Sequence, residues 1–66
     1  MATFKAKAGP FQIELRIDAS EMAQLVLLTQ GGMPLGSRLV PAKDAERIFR
    51  HLIRKSIKEI KEFFGI

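Results

Sequence analysis

Six cations recur at helical spacing in KDAERIFRHLIRKSIKEIK, residues 43–61: Lys43, Arg47, Arg50, Arg54, Lys58 and Lys61. At about 100° per residue they fall within an arc of roughly 80° on a single helix. Like charges three and four residues apart repel one another. Such a stripe is therefore either a solvated face screened by salt or a surface for something negative. Lysine and arginine in a line gain affinity for a polyanion by releasing its condensed counterions, with no demand on base sequence. Lys5, Lys7, Arg16 and Arg38 lie outside the stripe, and the chain as a whole carries a net charge of +4 and a pI near 10.0. This balance points to nucleic acid, DNA or RNA, ahead of an anionic membrane surface, because the apolar side of the same helix is needed for the core.

Other chemistries find no residues to carry them. The chain has no cysteine and one histidine, His51, so neither a disulfide framework nor a cluster of metal ligands is expected. Its serines and threonines lack an oriented base for nucleophilic catalysis. Gly31, Gly32 and Gly36 do not have the spacing of a phosphate-binding loop and mark a flexible connection instead. Glu14, Asp18 and Glu21 read as solvated strand and turn residues. The expectation is a protein that binds, with no enzyme activity, cofactor or metal.

These side chains need elements to position them. In FQIELRID, residues 11–18, Phe11, Ile13, Leu15 and Ile17 alternate with Gln12, Glu14, Arg16 and Asp18, the pattern of a half-buried strand. Upstream, TFKAKA alternates with the opposite parity, and Gly9-Pro10 stands at the change. A bulge there brings Lys5 and Lys7 to the face of Gln12, Glu14 and Arg16; a tight turn is the alternative. DASEMAQLVLLTQGG is ambiguous. Asp18 and Glu21 fit a helical capping box, with Gly31 as its stop. Residues 22–30 also fit a strand between a polar turn and the loop GGMPLG, and SRLV then supplies a further short strand. The strand reading is preferred.

Pro41 suits the start of a helix, Asp44 and Glu46 its positive end, and Gly65 its stop. The pattern predicts one long amphipathic helix over residues 42–64. Its apolar residues span close to 180° of the wheel, more than the roughly 100° that covers one surface. The excess predicts a homodimer in which Phe49, Ile53, Ile57, Ile60 and Phe64 meet a second copy of the helix. A chain of 66 residues with 47% apolar content forms one domain, residues 1–66, with a thin core that self-association would support. No stretch approaches the roughly 20 apolar residues of a membrane span, and MATFKAKAGPF has no secretory h-region. A cytoplasmic protein is expected, associated with the nucleoid if the source is prokaryotic.

The segment GGMPLGSRLVPAKDAERIFRHL resembles the positive cofactor four family of transcriptional coactivators and the related Pur-type repeats, over roughly residues 11–54. The resemblance implies three strands and a C-terminal helix (βββα, an α+β fold), dimerisation through the helices, and single-stranded DNA or RNA on the open face of a small antiparallel sheet. That face would carry Lys5, Lys7, Gln12, Glu14 and Arg16, with no aromatic side chain, and Arg38 would flank it. The helical cations Lys43, Arg47, Arg50, Arg54 and Lys58 would form a second basic surface. QIELRID also resembles the strand of ribbon-helix-helix repressors, which implies Gln12, Glu14 and Arg16 reading duplex DNA in the major groove. A dimeric protein–protein adaptor with no nucleic-acid role is the reading of a different class.

Overall fold

A computed structural model describes residues 1–66. Four strands run in sequence, β1 (Ala2–Ala8), β2 (Phe11–Ile17), β3 (Met22–Thr29) and β4 (Pro34–Pro41), followed by two helices, α1 (Ala42–Leu52) and α2 (Ile57–Phe64). The strands form one antiparallel meander in the order β1-β2-β3-β4. The α+β character and the strand at residues 22–29 agree with the sequence reading. The count of three strands and one long helix is corrected to four strands and two helices.

The fourth strand comes from TFKAKA, which is a separate strand and not a bulged extension of its neighbour. Gly9 and Pro10 form a two-residue loop, with Ala8 opposite Phe11. Gly9 takes φ 61°, and Pro10 cannot follow with a positive φ, so the loop is of the II′ kind that matches strand twist. Residues paired directly across an antiparallel ladder share a face. Lys5 opposite Glu14 and Lys7 opposite Gln12 therefore reach the polar face through a hairpin, with no bulge. The one irregularity of the sheet lies between β3 and β4, at Leu27/Leu28. Leu35 is the additional residue there, just after Pro34 begins the edge strand.

The ribbon-helix-helix arrangement fails at DASEMAQLVLLTQGG. Asp18 does not cap a helix; its Oδ1 accepts the Ser20 N–H at 2.8 Å, and the Ser20 hydroxyl donates to the Met22 carbonyl at 2.6 Å. This is an Asx turn that links β2 to β3. Four successive apolar residues follow because β3 is a central strand: Leu25 and Leu27 pack beneath the helices, while Val26 and Leu28 are buried on the opposite face.

The single helix breaks at residues 53–56. One straight helix over 42–64 would measure about 35 Å, longer than the 30 Å greatest extent of the molecule. α1 ends in a tightened turn, with Arg54 N–H on His51 O and Lys55 N–H on Leu52 O. Ser56 then starts α2: its Oγ accepts the Glu59 N–H at 3.2 Å and donates to Glu59 Oε1 at 3.1 Å, half of a capping box. Gly65 closes α2 in the left-handed conformation, as its position in the sequence suggests. α1 lies over β2, β3 and β4, and α2 crosses the end of the sheet from Gly9, beside Ile57, to Gly36, beside Phe64 and Ile66.

The core is the layer between helices and sheet. Ile13, Leu15, Leu25 and Leu27 are fully buried from below, and Ala45, Phe49, Leu52, Ile60 and Phe64 from above. The breadth of the apolar arc is thus absorbed within one chain. Phe49, Ile60 and Phe64 turn into their own core, Ile53 is half-buried against it, and Ile57 remains 47% exposed.

Ser56→Ala is expected to cost about 1 kcal/mol, seen as a fall in Tm of roughly 4–8 °C in a thermal melt. The Ser20 hydrogen bonds hold the Asp18 carboxyl below its ordinary range. A lowered folded pKa gives stability that is present above the ordinary value and lost as pH falls through the folded one. NMR titration is expected to find Asp18 lowered, and Asp18→Asn to keep the acceptor while removing this part of the acid dependence.

Candidate nucleic-acid interface

The helices cover one face of the sheet and leave the other open. The register arranges the open face in rows across the four strands: Thr3, Arg16, Gln24, Leu39; then Lys5, Glu14, Val26, Ser37; then Lys7, Gln12, Leu28, Pro34. Composition changes along each row. The β1–β2 half is polar and basic, and the β3–β4 half is apolar. Two lysines on one face of a strand stand about 6.7 Å apart along the chain, so Lys5 and Lys7 form a column at the edge.

Ion pairing separates these cations. Lys5 and Lys7 are exposed and have no carboxylate within ion-pair distance, whereas Arg16 Nη2 lies 2.9 Å from Glu14 Oε1. Gln12 donates from Nε2 to the Gln30 carbonyl at 2.9 Å, which fixes its amide at the lysine end. Lys5, Lys7, Gln12 and Gln30 line a shallow cavity of about 400 Å³ there. At the other end, Thr3, Arg16, Met22, Gln24 and Leu39 line a broader one of about 640 Å³. In between, Val26 and Leu28 are about 5% and 4% exposed, sheltered among the half-buried side chains of Gln12 and Glu14 opposite them. The face can hold phosphates along β1 and an apolar or base-like surface at Leu39 on β4. It carries no aromatic side chain.

Arg38 does not belong to this face. It stands opposite Leu25, on the helix side, where Nη1 donates to the Phe63 carbonyl at 3.1 Å and the guanidinium lies 4.5 Å from the Phe63 ring centroid. Phe63 in turn meets Phe64 edge-on at 5.1 Å. Arg38 thereby ties α2 to β4.

The helical stripe is divided by the break. Lys43, Arg47 and Arg50 project from α1, with Arg47 3.3 Å from Asp44 and Arg50 2.7 Å from Glu46. Arg54 falls in the connection and Lys58 in α2. These exposed pairs contribute little to stability, and they leave Lys43, Arg54, Lys58 and Lys61 without a carboxylate partner. His51 joins Lys43, Arg47 and Arg50 around a polar depression of about 500 Å³. The alignment of the six cations needed one axis and does not survive the break. Sequence reasoning missed Thr3, Gln24 and Leu39 as members of the open face. The two-residue loop at Gly9-Pro10 is the signal that could have found Thr3, because it fixes the β1–β2 register; Gln24 and Leu39 depend on the registers of β3 and β4.

No helix is long and apolar enough to cross a membrane. No family model matches the chain, and neither curated proteins nor solved structures give a significant match.

Arg38→Ala is expected to lower stability by about 1 kcal/mol through the lost contact with Phe63. It should leave any oligonucleotide affinity unchanged, with denaturant unfolding and anisotropy as the two readouts.

Proposed function

We propose that this protein binds nucleic acid, single-stranded DNA or RNA in preference to duplex, through the open face of its sheet. The observation that supports this reading is a sheet face that no helix covers, with two unpaired lysines, Lys5 and Lys7, on one edge strand and the exposed Leu39 on the other. Lys5, Lys7 and Arg16 would take phosphates, with Arg16 exchanging Glu14 for a stronger anion. Gln12 and Gln24 would offer amides to base edges, and the exposed Leu39 would lie under a base. A duplex keeps its bases stacked and offers such a face nothing, whereas a single strand can lay bases against it. Without aromatic stacking, phosphate contacts dominate, so affinity is modest and falls with salt. The cations of α1 would add long-range attraction on the far side of the molecule.

Fluorescence anisotropy with single- and double-stranded oligonucleotides at several salt concentrations tests the reading. Three phosphate contacts on a single strand give a slope of log K against log salt of about −2. The Lys5→Ala, Lys7→Ala double variant is expected to reduce that slope by about 1.4, and Arg47→Ala with Arg54→Ala to change it less. Absence of binding even in low salt favours the adaptor class, and a slope carried by the helix variants moves the site off the sheet.

A further inference from the structure

The sheet has two edges, and their chemistry differs. β1 presents Lys5 and Lys7, charges of the kind that guard an edge against pairing. β4 presents no charge on its open-face side, where Pro34, Ser37 and Leu39 lie, and Leu39 is 61% exposed. The direction of its unpaired backbone follows from the ladder. Ala42 N–H donates to Glu21 O at 2.8 Å. Hydrogen-bonded pairs alternate along an antiparallel ladder, so Val40, Arg38 and Gly36 exchange bonds with β3. Ser37 and Leu39 turn their N–H and C=O groups outward. Pro34 and Pro41 bound this free row and confine any pairing to the residues between them.

We infer that β4 pairs antiparallel with β4 of a second copy, about a two-fold axis at Ser37, to form a continuous eight-stranded sheet. A two-fold axis perpendicular to the sheet requires the residue on it to face itself. With Ser37 there, its outward N–H and C=O meet those of the partner's Ser37. Leu39 then comes beside the partner's Leu35, whose counterpart in this chain is 40% exposed. Arg38 falls opposite the partner's Gly36, so no like charges oppose each other. Pairing through β1 would instead bring lysine against lysine. The dimer is closed, because both of its outer edges are lysine-bearing β1 strands. It joins the two apolar halves into one, flanked on both sides by lysine columns. This occupant also suits a chain with only 14 buried residues of 66, a core for which self-association is a common support.

Sedimentation equilibrium without nucleic acid tests this apart from any binding activity. The wild-type chain is expected to approach twice its 7.4 kDa mass as concentration rises. Ser37→Pro removes an N–H that the β3 ladder does not use, and Leu39→Lys places a charge on the edge; each is expected to return the mass to that of one chain. Ile57→Lys, on the exposed flank of α2, is expected to leave the dimer intact. A wild-type monomer at millimolar concentration overturns the inference, as does a dimer that withstands Leu39→Lys or is lost in Ile57→Lys. Circular dichroism reports whether Ser37→Pro folds, and where it does not, Leu39→Lys decides alone.

Discussion

A sheet has two faces, and 66 residues supply enough helix to cover one of them. That shortage organises the molecule. The covered face takes the large aliphatic side chains of β2 and β3 together with the inner residues of α1 and α2. The open face must then meet water with what remains. It does so unevenly, polar and basic over β1 and β2, apolar over β3 and β4. β3 is the hinge of the arrangement, because as a central strand it is apolar on both sides. Val26 and Leu28 are buried without belonging to the main core, and the exposed Leu39 gives the open face its apolar side.

The electrostatics follow from the same division. Cations on α1 sit beside Asp44 and Glu46, so the densest run of charge in the chain is partly neutralised where it lies. Lys5 and Lys7 are fewer, have no ion-pair partner, and stand exposed on the edge strand, next to Glu14 and Gln12 in their rows. Arg38 shows a third use of a cation, holding Phe63 by its ring and its carbonyl.

Much of this fold can be read from local pattern. FQIELRI alternates without fault and is β2, and Gly65 ends the last helix in the conformation that glycine alone adopts cheaply. LVLL was ambiguous because burial on both faces erases the alternation that separates strand from helix. The long helix was misread for a different reason. The cationic repeat runs through residues 53–56, and the one fault in the apolar repeat is Ser56, which with Glu59 three residues later marks the new start. The open face is legible in part: Gln12, Glu14 and Arg16 follow from the alternation of β2, whereas Lys5 and Lys7 join them through the Gly9-Pro10 hairpin and not through the expected bulge. The side to which Arg38 belongs depends on the register of β4, which is set by long-range pairing.

Each strand in the sheet pairs with its immediate neighbour in the chain, and the helices fold back directly after the last strand. Within the sheet no strand has to wait for a distant one, and closing each hairpin costs little entropy. The Gly9-Pro10 hairpin can form first and template each later strand in turn. Such a chain should reach its native state quickly for a sheet protein, with little time for its uncovered face to find the wrong company.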